Sequence, residues 1–231
     1  MATVLRESTE NNSTTGTAIS VSAPTGTTTG DVVTISVHCN GNTTIVDNNG
    51  ATPFTEDLTD FSPNTTSGQT VSLFSRVIQA GDPSTYNFTS GASGRWSIVA
   101  ACWQNPNATF YDVAPSTGNA ANRDDSSAAT INAPSITTGF VNSIHVVCGY
   151  IDNALSTISS NPGGYTTIKN STDQPQGVSY KVIASAGATG AQTITSGDSQ
   201  PMIGLSFAIK TSVDATTRKI LGGRMMMGIG S

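Results

Sequence analysis

The sequence predicts an all-β protein: a single, jelly-roll-like β-sandwich built from two pseudo-symmetric repeats, with extended terminal arms. Three observations predict it. Gly and Pro clusters (Pro24, Gly30, Pro53, Pro63, Gly68, Gly81-Asp82-Pro83, Pro134, Pro162-Gly163-Gly164, Gly187) cut the chain into short pieces, the spacing of a sandwich or barrel. The pieces between them are rich in β-branched residues, and no window of a dozen residues carries a helical period. Finally, one order of segments occurs twice, and a repeat of this size outranks any short motif.

Residues 1–16 are polar and unrepeated, and read as an N-terminal arm. The first repeat, about 17–104, opens with APTGTTTGDVVTISVHCNG from Ala23. Val33, Ile35 and Val37 alternate there with Thr34, Ser36 and His38, the period of a strand with one buried face. GATPFTED follows from Gly50, then SLFSRVI, in which neither face is purely polar, so both should be at least partly covered. An Ala-Gly turn leads to a strand closed by Thr-Ser-Gly at Gly91, and then to WSIVAACW from Trp96. Residues 105–126 form a linker in which Phe110, Tyr111 and Val113 look docked rather than free.

The second repeat, about 127–210, runs through APSITTGFVNSIHVVCGY, GGYTTI, VSYKVIASAGATGAQTITSG and MIGLSFAI in the same order. Gly187 to Gly197 spans the same ten residues as Gly81 to Gly91. Each half of about 80 residues would bury a small core alone. One sandwich with a pseudo-twofold axis is therefore preferred over two separate ones, with Trp96–Trp103 and Met202–Ile209 in equivalent central places.

Charge is the compositional anomaly. Only 11% of residues are charged, against about 25% in a typical soluble domain. A freely diffusing protein usually carries more, and one packed in an assembly can carry less. The net charge of −5 disfavours nucleic acid as a partner. No apolar run approaches a membrane span, and the start lacks the apolar stretch of a signal peptide. Cys39, Cys102 and Cys148 follow no CxxC spacing and read as buried thiols in a reducing compartment.

Candidate chemistry has plainer alternatives throughout. His38 and His145 fall at similar places in the two repeats, near Cys39 and Cys148, but no ligand pair has a zinc-loop spacing. Asp47-Asn48-Asn49-Gly50 reads as a turn, and Asn122-Arg123-Asp124-Asp125 as a polar loop tip, rather than as calcium loops. Trp96, Trp103, Phe54 and Tyr165 could stack on sugars, although core packing is the commoner fate of such rings. Neither GxSxG nor HExxH occurs. The expectation is no enzyme, no cofactor and no metal.

From Lys210 the composition changes. Lys210, Arg218, Lys219 and Arg224 face the single acid Asp214, a net +3, while six bases and fourteen acids elsewhere leave −8. Residues 211–231 read as a C-terminal anchoring arm. Arg218, Lys219, Ile220, Leu221, Arg224, Met225, Met226, Met227 and Ile229 are the candidate partner-binding residues, because Met adapts to irregular apolar grooves and the charge would complement an acidic surface.

Ala23 to Val33, the run R-V-x-x-A-G-D-P-x-x-Y-x-F-T from Arg76 to Thr89, and W-S-I-V-A-A-C-W resemble poorly characterised β-sandwich proteins of tailed bacteriophages. The run G-x-S-Y-K from Gly177 and L-S-F-A-I-K from Leu205 resemble the closing half of such a domain. The resemblance covers about residues 17–210 and brings no catalytic set. It implies a virion structural protein assembled in the host cytoplasm: a capsid decoration (cement) protein that binds the shell through sandwich surfaces and terminal arms. Its partners would be the major capsid protein, other virion proteins or copies of itself, with no nucleic acid and no membrane. A tail or head-fibre adhesin that binds host glycan through Trp103, Tyr111 or Tyr165 is the alternative, and a glycan-active enzyme a more distant one.

Overall fold

The computed structural model describes residues 4–211 apart from 42, 63–67, 105–108, 117–120, 153–155 and 173. Its described residues form strands and no helix. The first half contains β1 (Val4–Ser13), β2 (Ala18–Ser22), β3 (Val32–Asn40), β4 (Ile45–Asp47), β5 (Thr55–Phe61), β6 (Gln69–Val77), β7 (Thr85–Ser90) and β8 (Trp96–Gln104). A short β9 (Tyr111–Val113) follows. The second half contains β10 (Ala121–Ala133), β11 (Thr137–Thr138), β12 (Ser143–Ile151), β13 (Ile158–Ser160), β14 (Thr166–Ser171), β15 (Gln176–Ile183), β16 (Gly187–Ala188) and β17 (Gln192–Ile209).

The two halves use one strand order. The first builds a large sheet β1-β8-β3-β6-β5, and the second builds β10-β17-β12-β15-β14. β8 and the end of β17, both apolar, hold the same interior place in the two sheets. The first half adds a small sheet β2-β7-β4. In the second, the end of β10, the start of β17 and β13 pair in the matching way. β10 and β17 thus run through both layers, whereas loops around Gly16 and Gly91 divide their first-half counterparts into β1 and β2, and β7 and β8.

Packing follows from the side-chain alternation of these strands. Val32, Leu73, Val99 and Trp103 of the first large sheet meet Ile144, Val146, Leu205 and Phe207 of the second in a central cluster. The other face of the first sheet (Val33, Ile35, Phe74, Trp96, Ile98) packs on Ile19, Val21 and Phe88 of the small sheet. The other face of the second sheet (Val147, Ile151, Met202) packs on Ile131 and Ile194. The expected sandwich is the central pair of large sheets, and each carries an outer layer besides, giving four layers.

Two expectations change. Residues 4–13, expected within an N-terminal arm, are the edge strand β1, paired with β8 from Val4 opposite Gln104 to Ser13 opposite Trp96. Its polar composition suits an edge with one wet side, which is why it does not read as a core strand. The linker expected over 105–126 contains β9, paired with the end of β17, and the start of β10. Phe110, Tyr111 and Val113 are docked against the central cluster, as their apolar character suggests.

Candidate interaction surface

Position in the fold accounts first for the candidate residues of the sequence. Trp96 and Trp103 are fully buried, and Phe54 nearly so, which removes them as a stacking platform. Trp103 Nε1 donates to Thr34 Oγ1 at 2.9 Å inside the central layer. Tyr111 donates its hydroxyl to Asp57 Oδ2 at 2.8 Å, and the Tyr165 hydroxyl lies 2.6 Å from His145 Nδ1. Phe54 and Tyr165 instead recur as matched structural pairs, each just before an edge strand and each under a cation. Arg76 lies 5.6 Å from the Phe54 ring centre, and Lys181 lies 5.7 Å from that of Tyr165.

The histidines are not counterparts. Val32 lies opposite Trp103 and Val77, and Ile144 opposite Ile209 and Val182, so β3 and β12 correspond with Val32 on Ile144. That register places Tyr150, not His145, at the position of His38. His38 faces the central layer, edge-on to Tyr150 with ring centres 5.3 Å apart, while His145 faces outward to Tyr165. Burial lowers both histidines to about 4, with Lys181 adding to the effect on His145. Cys39, Cys102 and Cys148 are free and buried, and burial raises their thiols to about 12, 11 and 12. Among the described residues no group of three or more His, Cys, Asp or Glu is placed to hold a metal ion.

The Asp47 carboxylate accepts from the backbone of Asn49 and Phe54, the work of a turn, and Gly50 supplies the positive φ of 65°. Asn122 to Asp124, expected at a loop tip, lie in β10 opposite Gly204, Ile203 and Met202. The ladder extends through this polar run because β17 offers a partner that local sequence does not show. The nine candidate tail residues, Arg218 to Ile229, lie outside the described residues.

What the fold gathers instead is exposed apolar surface. Six large apolar side chains are exposed among the described residues: Val4, Val46, Val77, Phe140, Val141 and Val182. Five of them, all but Val46, lie at one end of the molecule. Val77 is opposite Val32, and Val4 is opposite Gln104, beside Trp103. Val182 is opposite Ile144, and Phe140 and Val141 directly precede β12. The two large sheets present this end together. Tyr150 lies 2.8 Å from Ser36, and Asn12 bonds Ser171, while Trp103 packs on Tyr180, so β3 and β12 run in the same direction across the central layer.

The Phe140–Val141 turn is built rather than incidental. The Asp112 carboxylate, carried on β9, accepts from the Gly139 amide at 3.0 Å, the Phe140 amide at 3.3 Å and the Ser143 hydroxyl at 2.7 Å. Asn142 completes the turn at φ 59°, a conformation that Asn tolerates better than most residues. Lys210 Nζ lies 4.9 Å from the Phe140 ring centre, and the Lys210 amide donates to the Phe110 carbonyl at 2.7 Å. The turn backbone is thereby fixed, yet Phe140 is 42% and Val141 61% exposed. Sequence reasoning missed this pair. The available signal was an apolar dipeptide between Gly139 and Asn142, where a turn ordinarily shows polar residues.

Beside it on the same end, the first half has a cleft of about 610 Å³ between the loops 23–29 and 78–84. In the second half the counterpart loops close on each other as the β11–β16 ladder, Thr137 opposite Ala188 and Thr138 opposite Gly187. The halves thus share a framework and differ at this end. No family model, curated protein or solved structure matches the chain.

Proposed function

We propose that the chain is a structural component of a phage virion, a capsid decoration protein that works by interface rather than by chemistry. The observation that carries this reading is the gathering of exposed apolar side chains at one end, with the Phe140–Val141 turn held by the half-buried Asp112 carboxylate. Exposed apolar residues scattered singly need no explanation, whereas a set presented together marks an interaction surface. Lys210 stands at this end, where the basic, Met-rich segment begins. The low charge fits a molecule that spends its working life packed against others. The four-layer body supplies stiffness, and the end supplies contact.

Purified particles of the virus that encodes the chain test this reading. Quantitative mass spectrometry against the major capsid protein is expected to give hundreds of copies per particle. A handful would favour a tail component, and none would remove the virion reading. An adhesin using Trp103, Tyr111 and Tyr165 gains nothing from their positions, since the first is buried and the other two spend their hydroxyls inside the protein.

A further inference from the structure

We propose that the apolar end is a twofold self-association surface, in which the Phe140–Val141 turn of one copy enters the cleft between loops 23–29 and 78–84 of a second. The proposal rests on the assembly reading above and names the partner of that surface.

The cleft is preformed. Its margins are tied by backbone bonds, Ala23 to Ser84 at 2.9 Å on one side and Gly30 to Ile78 at 2.9 Å on the other. An ion pair braces each loop, buried on both sides for Arg76–Asp82 and with a partly exposed arginine for Arg6–Asp31. Asp31, held by Arg6 at 2.9 Å, accepts from the Thr28 amide, and Asp82, held by Arg76, accepts from the Gln79 amide. Ala23, Pro24, Ile78, Ala80, Pro83 and Tyr86 give the lining its apolar part. The inserting turn is equally fixed by Asp112. Two rigid complements lose little freedom on joining, which favours affinity for a given contact area.

Symmetry and charge select a second copy as the occupant. Turn and cleft occupy the same end of one molecule, so a twofold axis through that end makes both insertions at once, as an isologous interface requires. Val4, Val77 and Val182 of that end would be covered in the same event. Lys210 and the segment after it carry +3, while the remainder carries −8, so a second copy offers an acidic body to that basic segment.

Sedimentation equilibrium of the purified full chain at micromolar concentration tests the proposal. A dimer is expected. Val141→Asp on the turn and Ala80→Trp in the cleft should each weaken it at least tenfold while leaving the far-ultraviolet circular dichroism spectrum of the folded chain unchanged. Mixing the two variants should restore part of the association, because one turn and one cleft remain intact in the mixed pair. A wild-type chain that is monomeric throughout this range, variants that dimerise like wild type, or a mixture with no recovery would each overturn it. Particle incorporation separates the two readings: a wild-type chain that is monomeric in solution yet joins particles removes the twofold and leaves the virion assignment standing.

Discussion

At the scale of single residues, the centre of the molecule is more polar than a sandwich core usually is. Ser36 donates to Gln176 Oε1 at 2.7 Å, so its bond with Tyr150 uses the Tyr150 hydroxyl as donor. His38 Nε2 lies 2.9 Å from Gln69 Oε1 and 3.2 Å from Gln174 Nε2. Protonating His38 would place a charge among Tyr150, Gln69, Gln174 and Ser97, none of them anionic at neutral pH. Because its folded value of about 4 lies below the ordinary 6.5, the unfolded chain takes up the proton first. Stability from neutral His38 is therefore complete above about pH 6.5 and is lost as pH falls toward 4, on the order of 3 kcal/mol in all. Asp152, raised by burial to about 6, acts in the opposite sense over the same range, so the test is a difference. Thermal melts of His38→Gln and wild type should diverge between pH 6.5 and 4, with wild type losing more; parallel curves would contradict this origin. Gly94 offers a steric test. A Cβ there would run into the Asn40 carbonyl oxygen, so Gly94→Ala should destabilise by more than about 2 kcal/mol in chemical denaturation.

At the scale of elements, the ladders divide cleanly. The interior pairings β3–β6, β3–β8, β12–β15 and β12–β17 run without a register shift. Each pairing that adds an edge strand to a large sheet is interrupted, at Leu5/Glu7 for β1, twice for β5, twice for β10 and at Thr167/Lys169 for β14. Bulges at edges twist a strand away from further partners, a protection that low charge does not give this chain. Sheet edges are therefore poor candidates for joining neighbours, and contact falls to the loops and turns at the apolar end. Interior strands were legible from Val, Ile and Phe at short spacing, and the coverage of both faces of β6 from its mixed pattern. Thr34, Ser36 and His38 look solvent-facing in sequence, so β3 reads as a strand with one dry face, and only the second half shows that they are buried. The edge strand β1 was illegible for the same reason in reverse, since its polar residues carry no burial signal. Deleting residues 1–13 checks that assignment: loss of an arm would be neutral, whereas loss of β1 uncovers β8 and should lower stability by more than about 2 kcal/mol in the same denaturation assay.

At the scale of the whole molecule, the halves are joined by the largest apolar cluster, with Trp103, Val99 and Leu73 on one side and Phe207, Leu205 and Tyr150 on the other. Separating them would expose that layer, so denaturation is expected as one cooperative transition, and either half expressed alone should fail to fold stably; two resolved transitions would contradict the shared core. The repeated segment order was visible in sequence because turns and apolar strands keep their spacing. The apolar end was not visible, because Val4, Val77, Phe140, Val141 and Val182 are far apart along the chain and only the parallel course of β3 and β12 brings them to one side. The framework is therefore common to both halves, while the contact surface belongs to the differences between them: an open cleft in the first and a clamped apolar turn in the second. The measurement that bears most directly on this account is a density map of purified virus particles. The account predicts the four-layer body on the shell in many copies, with Phe140 and Val141 buried against a neighbouring protein chain. A particle lacking the chain, or one in which that end faces open solvent, would contradict it.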